Sequence, residues 1–235
     1  MNNRAVSVGR QAFYKSIPVL AGYLILGMGF GILLRNAGYG VLWALAMSCF
    51  IYAGSMQYVG VGLISGGASI LTTLLTTIMV NARHLFYSIS MIERYKGTGK
   101  YKPYLIFALT DETYSLLCDG QAPGEASGSL YRFLVSFFNQ CYWVAGSVAG
   151  SLLGSVLPFS TEGIEFCMTA LFVASFTEQW LSGGNHLPAL TGLLCSLLCL
   201  LLFGPGQFLI PAMILITLVL TVFQGRITSG KEEIE

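Results

Sequence analysis

The sequence predicts an all-α polytopic membrane protein, built as an inverted repeat with interrupted or re-entrant helices. Of its 235 residues, 54% are hydrophobic and only 10% are charged, whereas a soluble globular chain carries about a quarter charged residues. Apolar runs at 17–34, 41–64 and 130–157 approach the roughly 20 residues that cross a bilayer as a helix. We therefore expect about six to eight membrane segments.

Charged and polar stretches divide the chain into two related halves of one transmembrane domain, 1–235. We expect a first repeat core at 16–92, a cytoplasmic linker at 93–102, a short helix at 103–118 and a second repeat core at 130–225. Within the second core, Gly204, Pro205 and Gly206 separate the apolar runs 187–203 and 207–224. That pattern favours a tight helical hairpin.

Composition argues against several other classes of protein. The net charge is +1 and no basic patch stands out, so nothing indicates nucleic-acid binding. Six cysteines are scattered through apolar segments without CxxC spacing, which indicates packing residues rather than zinc ligands or disulfides. The basic N-terminus precedes a run that is long for a signal peptide, so we expect an uncleaved first helix. We expect no cofactor and no metal.

Lysine and arginine mark the cytoplasmic side of a membrane protein. They cluster at the N-terminus, in the linker ERYKGTGKYK and in the tail, whereas the loop at 119–129 carries Asp119 and Glu125 and no cation. We therefore expect both termini in the cytoplasm of a multi-pass protein of the cytoplasmic (inner) membrane. The 119–129 loop is expected to face outward.

An even number of crossings must then separate the N-terminus from the linker, although three apolar segments lie between them. One of the three should not span. The segment at 50–58 is the candidate, because Gly54, Ser55 and Gln57 interrupt its apolar pattern.

The second half weakly repeats the first. GYLILGMGFG (22–31) is echoed by CYWVAGSVAG (141–150), and FIYAGSMQ (50–57) by FVASFTEQ (172–179), in the same order. If 103–118 crosses outward, 130–157 re-enters, opposite to its counterpart. The halves would then be inverted, as in many secondary transporters.

The stretch VNARHLFY (80–87) places polar residues inside an apolar run. At 100° per residue, one narrow arc contains Thr73, Thr77, Asn81, His84 and Ser88. Leucine, isoleucine and phenylalanine occupy most of the other side. This pattern predicts an amphipathic membrane helix whose polar face meets protein or water, because a charge near the bilayer centre costs at least about 2.5 kcal/mol.

Each ionisable residue of this helix has a structural and a functional interpretation. In the structural interpretation, Arg83 is a cation that reaches the headgroups or pairs with a fixed carboxylate. In the functional interpretation, it binds a substrate carboxylate. His84 is either a core histidine bonded to a carbonyl or a proton carrier, since an unperturbed histidine titrates near pH 6.5. Asn81 would supply a neutral hydrogen bond in a cavity.

Two adjacent carboxylates, Asp111 and Glu112, lie in the short apolar segment FALTDETYSLLC (107–118). Packing does not explain them. Either one pairs with Arg83, or one binds a cation such as a substrate ammonium or a proton. The alternative is a short surface helix.

A third candidate is Glu178, which lies at the repeat position of the segment containing Gln57. If both segments are broken helices, their N-termini could hold the carboxylate of a zwitterion, and carbonyls or an acidic side chain could hold its amine. An interfacial Glu178–Trp180 pair is the alternative.

Three motifs in this order and spacing resemble the AzlC family, large subunits of branched-chain amino acid exporters. They are AGSMQY (53–58), VNARHLFY (80–87) and TDETY (110–114), and the glycine-rich PVLAGYLILGMGFGILLRNAG (18–38) also fits. The resemblance implies a secondary transporter, driven by the proton gradient, that exports branched-chain or similar apolar amino acids. It also implies a small four-helix membrane partner of the AzlD type.

The resulting hypothesis is a transporter rather than an enzyme, with a site formed by residues from four segments. The proposed substrate ligands are Gly54, Ser55, Gln57, Asn81, Arg83, Thr110, Asp111 and Glu178, and the proposed proton-coupling residues are His84, Asp111 and Glu112. Alternatives are a channel-like pore and a structural subunit whose partner holds the site. The mixture of both charge signs favours a zwitterion site over a channel, in which rings of like charge or carbonyls are expected.

Overall fold

The computed structural model describes residues 3–118, 125–156, 186–204 and 208–222, and single residues or pairs between 163 and 181. Its regular elements over these residues are helices, as the all-α prediction requires. The chain forms two compact units, Met1–Met168 and Thr169–Glu235.

Eight α-helices of the first unit are described. They are α1 (Asn3–Asn36), α2 (Val41–Phe50), α3 (Gly54–Ser65), α4 (Ile70–Asn81), α5 (Arg83–Met91), α6 (Lys102–Phe107), α7 (Asp111–Cys118) and α8 (Glu125–Val156), with a 3₁₀ turn at Gly99–Tyr101. In the second unit, α9 (Leu187–Phe203) and α10 (Leu209–Val222) contact each other. Within the described part of the chain, Ser7–Asn36 is the one helical stretch both long and apolar enough to cross a membrane unaided.

Helices α1 and α8 pack side by side and run in the same direction. In the first half of both helices, the rings of Phe13 and Phe138 have centroids 5.8 Å apart. About one turn further along, Ser16 Oγ lies 3.0 Å from the Tyr142 hydroxyl. Near their ends, a Cβ added at Gly154 would lie 3.4 Å from Arg35 Cβ. The contact points therefore advance together along both helices.

Glycines allow the two backbones to approach this closely. A Cβ at Gly27 would lie 2.9 Å from the carbonyl oxygen of Trp143, and one at Gly146 would lie 2.7 Å from that of Leu24. The contact is reciprocal, because Gly146 follows Gly27 by the same interval as Trp143 follows Leu24. Small residues at crossings are the usual means of close helix packing in membranes.

This geometry corrects the inverted-repeat prediction for the pair that carries its clearest sequence echo. The echoing segments 22–31 and 141–150 lie in α1 and α8, which run parallel. Two parallel helices with reciprocal contacts are related by an axis along the helices, not across them. The inversion expected for these two segments is therefore wrong.

Helices α2 and α3 form a hairpin that enters and leaves at the Asn36 end of α1. Gln57 Nε2 donates to Ser48 Oγ at 3.2 Å, and a Cβ at Gly60 would lie 3.8 Å from Met47 Cε, so the two helices are antiparallel. The chain reverses at 51–53, within the segment whose composition predicts an interruption. Tyr52 there has φ +44°, a strained conformation for a non-glycine residue.

The amphipathic helix predicted around VNARHLFY is present, but its hydrogen-bond ladder breaks at Ala82, between α4 and α5. Ala82 keeps helical dihedrals, while Leu85 N–H donates to Ala82 O at 3.1 Å instead of to the residue four positions back. The polar arc is confirmed. Thr73, Thr77 and His84 are half-buried, whereas the apolar side chains opposite are exposed.

Residues 103–118 do not form the single crossing helix that was predicted. They form α6 and α7, separated at 108–110, and the second helix returns to the end from which the first came. Near the start of the segment, the ring centroids of Tyr104 and Phe133 lie 5.1 Å apart. Near its end, Leu117 packs in one cluster with Val8 and Tyr131. This is a second helical hairpin.

The return of α7 explains both the position of the 119–129 loop flanks and the parallel course of α1 and α8. Because 103–118 turns back, the residues that flank the 119–129 loop, Leu117 and Tyr131, lie with Tyr95 of the linker rather than at the opposite end. The two flanks of the loop therefore lie at the linker end, whereas the prediction placed the loop at the end opposite the linker. Helix α8 then starts beside the start of α1, which is why the two helices are parallel.

Parts of the sequence interpretation lie outside the described residues. These are Glu178 and Gln179, most of the echo at 172–179, and the tail from 223 onward with its cations.

Substituting one glycine should test the α1–α8 packing. In Gly150→Ala the new methyl would overlap the backbone of Met28, and overpacking of this kind costs about 1–3 kcal/mol. We expect a lower Tm for this variant in thermal unfolding of the detergent-purified protein, followed by tryptophan fluorescence. The control is Gly22→Ala, which has no atom within 4 Å of the new Cβ and should be neutral or more stable. Equal Tm values for both variants would contradict the packing.

Cysteine labelling should test the re-entrant course of α6 and α7. In a cysteine-free background, Lys96→Cys and Arg132→Cys should react with an impermeant maleimide from the same side of sealed vesicles, because both flank a segment that returns. Asn36→Cys, at the other end of α1, should react from the opposite side. Labelling of positions 96 and 132 from opposite sides would mean that 103–118 crosses.

Candidate functional site

The tips of the two hairpins meet beside α1 and α8. Tyr52, in the break between α2 and α3, packs on Phe107 at the end of α6, with ring centroids 6.2 Å apart. One hairpin enters from the Asn36 end and the other from the linker end. The helix breaks at 51–53 and 108–110 are therefore brought together from opposite directions.

Arg83, from the interruption between α4 and α5, connects the two tips. Its Nη1 lies 2.7 Å from Asp111 Oδ2, and its Nη2 donates to Ser55 Oγ at 2.7 Å. The side chains of Arg83 and Asp111 are 27% and 29% exposed, so the pair is neither sealed in the interior nor fully solvated. Asp111 Oδ1 and Asn81 Oδ1 are buried without a hydrogen-bond partner in this structure.

Both residues that Arg83 binds lie in the first turn of a helix. Ser55 follows Gly54 at the start of α3, and Asp111 is the first residue of α7. The first N–H groups of a helix have no intrahelical acceptor and carry partial positive charge. The site therefore combines a guanidinium and two helix N-termini, which favour an anion, with one carboxylate, which favours a cation.

Thr110 caps the start of α7 and connects it to α1. Its Oγ1 accepts from the Thr113 N–H at 3.3 Å, in the manner of an N-cap. The same oxygen lies 2.7 Å from the Tyr23 hydroxyl, which also donates to Glu112 Oε2 at 2.6 Å. The two neighbouring carboxylates consequently have different partners: an arginine for Asp111 and a phenol for Glu112.

Helix α8 holds the hairpins in place through three polar side chains. Asn139 Nδ2 donates to Thr113 Oγ1 at 3.0 Å, and Trp143 Nε1 donates to Gln57 Oε1 at 2.8 Å. Gln140 contacts both hairpins, because its Nε2 donates to Cys49 O at 3.1 Å and its Oε1 accepts from the Tyr104 hydroxyl at 2.6 Å.

Comparison with known proteins identifies the family. Residues 18–157 match the family described as AzlC protein. Over 215 residues the chain is 45% identical to the branched-chain amino acid transport protein AzlC of Bacillus subtilis (strain 168), covering 92% of this chain and 85% of that protein. The chain belongs to the AzlC family.

More distant AzlC relatives carry membrane-protein names. An uncharacterized membrane protein of Haemophilus influenzae is 40% identical over 235 residues, covering 100% of this chain and 95% of its own length. The inner membrane protein YgaZ of Escherichia coli (strain K12) is 28% identical over 166 residues, 68% of each chain. No solved structure matches.

The AzlC match spans the three motifs that carry the resemblance, and the structure brings them to one place. Ser55, Arg83 and Asp111 are in direct contact, and Thr110 caps the helix that begins at Asp111. Of the two possibilities for the carboxylates, pairing of one with Arg83 is the one observed. Whether these groups bind substrate stays a prediction.

Other predicted residues have protein partners in this conformation. Gln57 is fully buried, and both of its polar atoms are bonded within the protein. Gly54 packs against the ring of Trp143, where a Cβ would lie 3.0 Å from the indole. His84 Nδ1 lies 3.2 Å from Asn81 O, the carbonyl contact of its structural interpretation, and its ring packs edge-on against Tyr87.

Sequence reasoning did not find Tyr23, Asn139 or Gln140. The pair Asn139-Gln140, inside the apolar and aromatic run of α8, was a usable signal, since amides are costly in a membrane helix without partners. Tyr23 gave none. A tyrosine in a glycine-rich helix is ordinary, and only the fold shows that it meets Glu112.

Proposed function

We propose that this AzlC-family protein is a secondary transporter that exports branched-chain amino acids, with its substrate site at Arg83, Asp111 and Ser55. The observation that carries the proposal is the partly exposed ion pair where two interrupted helices begin. The name of the Bacillus subtilis relative supports the choice of substrate class.

An α-amino acid offers the same two charges as the ion pair, a carboxylate and an ammonium. The substrate carboxylate would bind the guanidinium of Arg83 and the free N–H groups of α3, and its ammonium would bind Asp111. Arginine suits this role because its planar fork binds a carboxylate through two hydrogen bonds. Substrate would thus replace each partner of the pair with a group of equal charge, and neither side chain would be left uncompensated.

The position of the site fits alternating access. One hairpin reaches the site from each end of the α1–α8 pair, so movement of either hairpin would open the site toward one side. Non-helical backbone at membrane depth is tolerated where it is buried in protein or lines a water-filled cavity. A site at such breaks is typical of secondary transporters.

We propose that the linker end lies on the cytoplasmic side of the cell membrane. Most described cations lie at this end: Arg10, Lys15, Arg94, Lys96, Lys100, Lys102 and Arg132. Arg35 lies at the other end. The positive-inside rule then places the N-terminus and the linker in the cytoplasm.

Leucine counterflow in proteoliposomes should test the substrate site. Asp111→Asn leaves Arg83 without its anionic partner and removes the group proposed for the substrate ammonium. We expect at least about a tenfold loss of counterflow, the equivalent of about 1.4 kcal/mol, with normal protein levels.

The matched control is Glu93→Gln, which removes an acid from the exposed Glu93–Lys96 pair. Exposed pairs of this kind contribute about 0–1 kcal/mol, so transport should be unchanged. Wild-type counterflow in the Asp111→Asn variant would remove Asp111 from the site. Leucine flux in the wild type without trans-stimulation would indicate a channel instead.

We also propose a small AzlD-type membrane subunit as the partner. Helix α4 supports a further contact surface, because all its residues are at least partly exposed and it carries Thr72, Thr73, Thr76 and Thr77. Thr73 and Thr77 donate to carbonyls of their own helix, so they can face another helix without an unpaired donor.

Export from cells expressing the chain with and without the small subunit tests that partnership. We expect export only when both are present, and loss of export when the chain carries Asp111→Asn. Full export by the chain alone would exclude an obligatory partner. Export that survives Asp111→Asn in the complex would place the site in the partner, as the structural-subunit alternative requires.

A further inference from the structure

Glu112 stands apart from the ion pair beside it. It is partly buried, and none of the ion pairs found among the described residues includes it. Its carboxylate is instead bonded to the Tyr23 hydroxyl, which belongs to a group of neutral hydroxyls with Thr110 and Thr113.

A tyrosine hydroxyl can serve both protonation states of a carboxyl group. When Glu112 is ionised, Tyr23 donates to Oε2, as observed at 2.6 Å. When Glu112 is protonated, its own O–H can donate to the phenol oxygen, which also accepts. Asp111 lacks this freedom, because its contact with the Arg83 guanidinium is an ion pair that requires a carboxylate.

We infer that Glu112 takes up the proton that drives transport, at a site distinct from the amino-acid site of Arg83 and Asp111. This inference rests on the proposed function. It divides the two adjacent carboxylates, which the sequence alone left interchangeable, into one that binds the substrate ammonium and one that carries a proton.

The charge count of the site gives a physical reason for a proton-dependent return step. With Glu112 ionised, Arg83, Asp111 and Glu112 together carry one net negative charge, and a bound zwitterion does not change that sum. A net charge at membrane depth costs at least about 2.5 kcal/mol. Protonating Glu112 makes the sum zero, so in an antiport cycle the empty site can return with its proton and without an uncompensated charge.

Before the proton step, the Tyr23 hydrogen points at Glu112 Oε2 and the Thr110 hydrogen at Thr113 Oγ1, so the Tyr23–Thr110 contact has no hydrogen of its own. A proton from water binds Glu112 Oε2, and the new O–H donates to the Tyr23 oxygen. The Tyr23 hydrogen, which pointed at Oε2, then turns toward Thr110 Oγ1, 2.7 Å away. Thr110 continues to donate to Thr113 Oγ1 at 3.0 Å. No bond other than O–H is made or broken, and release reverses the step.

Titratable groups from each neighbouring element face Glu112 and set the environment in which it would change charge. They are Tyr23 on α1, Tyr52 at the first hairpin tip, Arg83, His84 and Tyr87 on α5, and Asp111 on α7. Helix α8 contributes the neutral Asn139 to the adjoining Thr113. An unperturbed histidine titrates near pH 6.5, so His84 must be tested beside Glu112.

Two assays on the same proteoliposomes separate substrate binding from proton coupling. The proteoliposomes contain the chain, together with the small subunit if export needs it. Counterflow of labelled leucine at equal pH needs no net proton movement, whereas accumulation against a gradient under an imposed pH difference does. In Glu112→Gln we expect counterflow within about twofold of the wild type and at least about a tenfold loss of pH-driven accumulation, tenfold being about 1.4 kcal/mol. Glu112→Asp keeps a carboxyl group and should restore part of the accumulation.

Each outcome decides between explanations. Accumulation that survives Glu112→Gln overturns the inference. Loss of both counterflow and accumulation in a normally assembled Glu112→Gln protein also overturns it, because Glu112 would then belong to the substrate site or have a structural role. Loss of coupling in His84→Gln with coupling intact in Glu112→Gln assigns the proton to His84 instead. If the wild type shows no leucine counterflow, the proposed function fails. If it shows counterflow but no response to pH, transport stands and only proton coupling fails.

Discussion

Inside a bilayer, the unpaired N–H and C=O groups at helix ends have no water to bind. The position of such helix ends determines how the first unit of this chain is arranged. Each unsatisfied N–H or C=O group costs several kcal/mol in hydrocarbon. The breaks at 51–53 and 108–110 lie beside α1 and α8, and Arg83, next to the break at Ala82, contacts the helix that follows each of them. Arg83 is central to this arrangement, since it bonds Ser55 at the start of one broken helix and Asp111 at the start of another. The ion pair that defines the candidate site is also what joins the two hairpin tips.

The helices themselves could be predicted from composition and period, because burial in lipid imposes both. The interruption at 50–58 could be predicted as well, from Gly54, Ser55 and Gln57 and from the parity of crossings. The direction of 103–118 could not. Its length allows a short crossing as well as a return, and the acidic composition of the loop that follows favoured a crossing to the outer side. The contacts of Leu117 with Val8 and Tyr131 decide for a return, and they depend on residues far apart in the chain.

The same limit applies to the site. Sequence reasoning found Ser55, Arg83 and Asp111 because charges and small polar residues are conspicuous among apolar neighbours. It could not tell Asp111 from Glu112, because which neighbour each carboxylate meets is set by packing. Nor could it see that Gln57 would be occupied by Trp143 and Ser48. A polar residue in an apolar run predicts a partner, but its position in sequence does not say whether that partner is protein or ligand.

The parallel pairing of α1 with α8 suggests a different mechanical character from an inverted repeat. Parallel repeats are related by an axis along the membrane normal, so the two faces of the membrane are not interchanged by the symmetry. Gln140 adds a constraint on top of this. Its amide nitrogen donates to the carbonyl oxygen of Cys49 in the α2–α3 hairpin, and its amide oxygen accepts from the Tyr104 hydroxyl in the α6–α7 hairpin. If the hairpins move as proposed, either one must first exchange this shared hydrogen-bond partner for another, so Gln140 would couple the movement of one hairpin to that of the other.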